Sequence, residues 1–167
     1  MLQNDFIVMA YKAACEAKKC GAPINPAIAA AQAALESAYG KSRLAVEGNN
    51  LFGIKAGKSW RGGIIVLKTK EFSPQKGMYF TSAAFRKYHN LAHCFSDYGD
   101  IIKSLPWYKD AVAAKEDPVG FILGLAAKPG REPGWATDPL YAEKVLAVAK
   151  RFNLVPENTR LPDGKRI

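Results

Sequence analysis

No stretch of this 167-residue chain is apolar for anything near the ~20 residues that a helix needs to cross a bilayer. The longest candidates, Ala27–Leu35 (interrupted by Gln32) and Phe121–Ala127, are far too short. The N-terminus lacks a positively charged start followed by an apolar block, its first charge being Asp5, so no secretory signal peptide is expected. Cysteine is scarce and odd in number: Cys15, Cys20 and Cys94 exclude a complete disulfide framework. Cys15 and Cys20 lie five apart in a predicted helix and point in different directions, so buried free thiols are expected. Only two histidines occur, His89 and His93, at ligand spacing for a helix. A zinc protease would need glutamate directly after the first, where Asn90 stands, and no metal is expected. There is no internal repeat and no low-complexity linker. Acidic residues are outnumbered, 15 against 24 basic, for a net charge of +9. That balance draws a protein toward polyanions: nucleic acid, anionic membranes or an acidic bacterial wall. The lysines and arginines are scattered along the chain, which argues against a nucleic-acid partner.

What is present is an ordinary globular composition, 49% hydrophobic and 23% charged, at a length that suits one domain. Residues 4–20 carry apolar side chains at helical spacing, closed by Gly21. A second helix is predicted from Asn25-Pro26 through Tyr39, ended by Gly40. Residues 47–90 change character. Glycines punctuate three short strand-like pieces, Leu51–Lys55, Ile64–Thr69 and Tyr79–Phe80. Helical patterns return at Ala92–Lys103, Trp107–Ala114, Pro118–Ala127 and Pro139–Phe152, with Asp138 as a cap. The order predicts a single domain over 1–155 with a β lobe at about 47–90. Residues 156–167 read as an extended surface tail with little to bury. The run Gly53–Ser59 is one residue short of a phosphate-binding loop and leads to a strand instead of a helix, so no nucleotide or other cofactor is expected.

Two carboxylates draw attention. Glu36 sits on the last turn of the second predicted helix among alanines, which leave space for a cleft. The negative end of the helix dipole and partial burial both disfavour its charged form, as a general acid requires. A solvated surface glutamate is the alternative. Glu71 ends a predicted strand and could face Glu36 across a cleft, as the paired carboxyls of glycoside hydrolysis do; one more exposed charge is again the alternative.

The run Ala31-Gln32-Ala33-Ala34-Leu35-Glu36-Ser37-Ala38-Tyr39-Gly40-Lys41-Ser42 resembles the catalytic-helix signature of glycoside hydrolase family 73. Asn49–Lys55, Trp60-Arg61-Gly62, Thr69-Lys70-Glu71, Phe85–Tyr88, Ser96-Asp97-Tyr98 and Ala136–Ala142 resemble that family's later blocks, in family order. The resemblance implies an α+β, mainly helical, lysozyme-like fold with a small β lobe. It implies hydrolysis of the β-1,4 glycan of peptidoglycan, with Glu36 as general acid and Glu71 as the candidate for the second role. Asn50 and the backbone near Gly53 would line the cleft floor, and Trp60 or Tyr79 would stack on sugars, with plain packing the alternative for each aromatic. The chain departs from the family where Trp135 replaces the tyrosine of Tyr-Ala-Thr-Asp. An indole cannot supply that hydroxyl, though it can stack on a sugar face. Tyr141 matches the family and offers a hydroxyl or a core ring. The expectation is a monomeric, phage-type endolysin acting on the cell wall or periplasm after holin-type or secretion-system export, with electrostatic contact to the anionic envelope. Muramidase specificity, or a non-catalytic peptidoglycan-binding module on the same fold, are the alternatives.

Overall fold

The computed structural model describes residues 2–73, 77–126 and 134–162, with the side chains of 69–73 and 79 outside the description. The chain runs α1 (Gln3–Lys19), α2 (Pro26–Glu36), α3 (Arg43–Gly48), β1 (Ile64–Ser73), β2 (Gly77–Arg86), α4 (Leu91–Ser104), a 3-10 turn (Pro106–Tyr108), α5 (Lys109–Ala113), α6 (Pro118–Leu125) and α7 (Tyr141–Arg151). The class is mainly helical α+β, as the order of patterns predicts.

Helix α2 is the hub. Asn25 accepts a hydrogen bond from the Ile28 N–H at 3.2 Å, and Pro26 presets the first turn. Every residue from Ala27 to Ala34 is buried. Six of these eight are alanines, and their small side chains let α1 pack on one flank and α7 on another. A helix buried all round must account for any polar group it carries. Within the buried run Ala27–Ala34 that group is Gln32.

The ends are set by local chemistry. Ser42 caps α3, Asn90 caps α4, and Asp117 caps α6 through the N–H groups of Val119 and Gly120. Asp138 does not cap α7 directly. Its Oδ1 accepts from the Leu140 N–H at 2.9 Å in a turn ahead of the helix, which starts at Tyr141, and its Oδ2 pairs with Lys144. Leu51–Lys55 is not a strand. Only Lys55 makes an isolated bridge, to Phe85.

The two strands form one antiparallel ribbon, in register from Ile64 opposite Arg86 to Ser73 opposite Gly77. Its base is tied down on one face, where Ile65 and Phe85 are buried. Ile65 occupies the space beside Gly48, where a Cβ would clash with its Cδ1. A half-buried ion pair, Arg86 with Asp97, and the Tyr88 hydroxyl donating to Asp97 at 2.6 Å fasten the lobe to α4. Phe85, Tyr88 and Tyr98 are buried.

Two readings change. The cysteines are unpaired, but only Cys94 is buried, while Cys20 is exposed because it lies past the packed face at the end of α1. The tail read from residue 156 onward is not all surface arm: Leu161 is buried against the core, where burial removes its apolar surface from water.

Candidate active site

The site starts from how α2 ends. The helical pattern reads on to Tyr39, yet the helix stops at Glu36. The buried Ser37 hydroxyl donates to the Ala33 carbonyl at 2.5 Å and accepts from the Gly40 N–H at 2.8 Å. The chain then turns left-handed through three successive residues, Ala38 (φ 51°), Tyr39 (57°) and Gly40 (74°). Only the glycine adopts this region without steric cost. Gly40 is also required for room, since a Cβ there would lie 2.6 Å from the Phe6 ring. This abrupt stop leaves Glu36 at the lip of the helical body, open to solvent along one side.

Strain at Ala38 yields a test. Ala38→Gly should stabilise the fold by up to about 1 kcal/mol, the left-handed penalty relieved less the added unfolded-state entropy of glycine. Urea unfolding measures it, and a loss of stability would show that Ala38 is not strained.

Behind Glu36 lies a directional relay. The Tyr98 hydroxyl donates to Gln32 Oε1. Gln32 Nε2 donates to the Tyr141 oxygen at 3.1 Å, and the Tyr141 hydroxyl donates to Glu36 Oε1 at 2.8 Å. Gln32 and Tyr98 are wholly buried and Tyr141 nearly so. Gln32 lies one turn before Glu36 on the same helix face, which aligns the two. Each member of the chain is held by the next, so the carboxyl is oriented from inside the core.

The electrostatics pull two ways on Glu36. Crowding by protein raises its pKa above the ordinary carboxylate value, and the Tyr141 hydrogen bond pulls it back down. Burial dominates, so the neutral acid persists to higher pH than in water. Tyr141 itself is pushed far up by burial and by the neighbouring carboxyl, so its hydroxyl stays protonated and remains a donor.

The other predicted site residues divide. Trp135 is half-buried, with its ring 4.8 Å from Tyr98 edge-on and 6.0 Å from Phe52. It walls the far end of the relay, and the hydroxyl at the carboxyl comes from Tyr141. Asn50 does not face the cleft. It is 1% exposed, and its amide is spent on the backbone, donating to the Ile54 and Arg86 carbonyls and accepting from the Ile54 N–H. It clamps the loop to the lobe. Gly53 is exposed, with φ +63°, and serves that same turn. Trp60 joins a separate cluster. Its Nε1 donates to the Gly63 carbonyl at 2.9 Å, and its ring packs against Tyr88 and His93 and under the Arg86 guanidinium. His89 stacks on His93, and among the described residues no three potential metal ligands gather. Glu71 and Tyr79 are opposite each other in the ribbon, on the same face by alternation as Ile65 and Phe85; their side chains lie outside the described residues. Sequence reasoning missed Gln32 and the relay role of Tyr98. The available signal was a lone amide in the otherwise apolar run Ala27–Leu35.

A mainly helical body with a two-stranded lobe, and a carboxyl at the end of a buried helix with its pKa raised, point to the class: a lysozyme-like glycoside hydrolase domain. The chain belongs to the glucosaminidase family, glycoside hydrolase family 73, whose model, described as mannosyl-glycoprotein endo-β-N-acetylglucosaminidase, matches residues 11–154. It is 37% identical over 132 residues to the peptidoglycan hydrolase FlgJ of Vibrio parahaemolyticus, covering 77% of this chain and 41% of that protein. It is 35% identical over 133 residues to the exo-glucosaminidase LytG of Bacillus subtilis, covering 78% and 45%. The chain thus spans less than half the length of these relatives. The solved catalytic domain of the autolysin Auto from Listeria monocytogenes superposes with a TM-score of 0.77 at 32% identity, covering 91% of this chain and 85% of that one.

Proposed function

We propose that this domain hydrolyses β-1,4 glycosidic bonds in the glycan strands of bacterial peptidoglycan, with Glu36 as general acid. The observation that carries the reading is the Tyr141–Glu36 hydrogen bond at the end of a buried relay, on a carboxyl whose pKa is raised by burial. With Oε1 engaged by Tyr141, the acid proton resides on Oε2 and is delivered to the leaving glycosidic oxygen as the C–O bond breaks. Glu71 is the second carboxylate of the reaction, supported by its register position on the lobe face shared with Ile65. Between the two alternating bonds of the strand, the glucosaminidase bond is proposed, supported by the family description and by the activity in the name of the LytG relative. The place of action is the wall or periplasm, in a lytic role, and the +9 charge favours such an anionic envelope.

Digesting purified peptidoglycan and reducing the products with borohydride tests this reading. Mass spectrometry should find fragments ending in reduced N-acetylglucosamine. Reduced N-acetylmuramic acid would make the domain a muramidase. Binding to the wall with no cleavage over a range of pH and salt would replace the enzyme with a binding module.

A further inference from the structure

The basic residues of this chain are spread along it, but the acidic ones are not. From Leu51 to Asn90 there are eight lysines and arginines and a single acidic residue, Glu71. This stretch, built around the β ribbon, therefore supplies seven of the nine net positive charges. Both a denser set of basic residues and a near absence of acids produce the asymmetry.

The ribbon has a second peculiarity. Side chains alternate between its faces, and the register assigns them. One face carries Ile65 and Phe85, which are buried at the base. Among the described residues the opposite face carries Ile64, Val66, Lys68, Met78, Phe80, Ser82, Ala84 and Arg86, the last paired with Asp97 at the base. Ile64, Val66, Met78 and Phe80 keep 52%, 56%, 65% and 71% of their surfaces open, and Lys68 and Ser82 are exposed beside them. A two-stranded ribbon packed on one side ordinarily turns polar side chains to water on the other. Here that outer face combines large apolar groups with cationic surroundings. Lys58, Arg61 and Lys87 are exposed around the base of the ribbon.

We infer that the outer face of the β1–β2 ribbon is a docking surface for the anionic surface of a lipid bilayer. Charge complementarity alone would suit any polyanion. Four exposed apolar side chains on the same face add what a polyanion does not use and an acyl–headgroup boundary does. Basic side chains near such a surface each add attraction to anionic lipid. No helix among the described residues is long and apolar enough to cross a membrane, so the contact is peripheral. Docking through this face leaves the opposite face, with residue 71, directed away from the lipid. The inference does not rest on the catalytic reading, and its test uses no turnover.

Sedimentation with vesicles of phosphatidylglycerol and phosphatidylcholine, against phosphatidylcholine alone, tests it on the whole chain. The protein should bind the anionic vesicles only, and less as salt rises. The double variant Val66→Ser, Met78→Ser should weaken binding at least roughly tenfold, by removing two apolar groups from the boundary. Lys68→Glu should weaken it at low salt, with the difference shrinking at high salt. All three positions are exposed, so thermal melting should stay near wild type and show that the variants fold. Failure to bind anionic vesicles overturns the proposal. So does vesicle binding that the serine substitutions leave unchanged. Binding to long-chain polyphosphate without binding to vesicles would assign the face to a polyanion and overturn it as well.

Discussion

Glu36→Gln should lower glycan hydrolysis by roughly a hundredfold to ten-thousandfold while leaving the protein folded, and at neutral pH somewhat more stable than wild type. The first effect follows from the chemistry. The substituted amide keeps the shape and can still accept from the Tyr141 hydroxyl, but it has no acid proton to deliver, and general-acid catalysis typically contributes about 10²–10⁴. The second follows from linkage. The folded-state pKa of Glu36 lies above the ordinary 4.5 of an unfolded chain, so the native state binds this proton more tightly. Wild-type stability from this group is greatest when the carboxyl is protonated in both states. It is lost as pH rises through 4.5 and then through the folded-state value. Glutamine does not titrate and escapes that loss. The gain in melting temperature should therefore be present at pH 7 and vanish as pH falls below 4.5. Turnover of peptidoglycan and melting curves at both pH values are the measurements. A variant keeping a tenth of wild-type activity would remove Glu36 from the acid role. A variant less stable than wild type at pH 7 would show that the carboxylate is not disfavoured there.

The sequence made Glu36 visible through its neighbours: alanines that leave space, and a glycine that marks the helix end. It did not reveal how the helix ends. The pattern continues to Tyr39, and only the tertiary packing of Ser37 and the Phe6 ring shows why the chain turns left-handed after Glu36. Helix α3 went unseen because six residues, Arg43–Gly48, carry too little periodicity to register against their glycine-rich surroundings. The β lobe was legible at the β-branched run Ile64–Leu67, but its full ten-residue strands were not. Lys68, Lys70 and Glu71 break an apolar pattern in a ribbon packed on one face only at its base. Asn50 shows the limit for polar residues. An asparagine in a glycine-rich loop reads equally well as a ligand to sugar or as a clamp on backbone. The choice depends on carbonyls at Ile54 and Arg86, one of them 36 residues away. The relay is less accessible still, since Gln32 meets Tyr98 across 66 residues and Tyr141 across 109.

Tyr141→Phe separates a positioning hydroxyl from a merely packed ring. The ring is retained, so the core loses no apolar volume. Two things change. Gln32 Nε2 loses its acceptor in a fully buried position, which should cost about 1–3 kcal/mol of stability. Glu36 loses the one interaction that lowers its pKa, so its pKa rises. Because the reaction needs Glu36 protonated, a higher pKa keeps the acid competent to higher pH. The alkaline limb of the pH–activity profile should therefore move upward, even as activity falls. The fall itself should be roughly tenfold to a hundredfold in kcat/KM, matching about 1.5–3 kcal/mol for a hydrogen bond to the carboxylate charge that develops as the proton leaves Glu36. If the ring only packs, the variant loses stability but its alkaline limb stays in place. A limb displaced downward would instead mean that the Tyr141 hydroxyl favours the neutral acid, reversing the sign on which the relay's role depends.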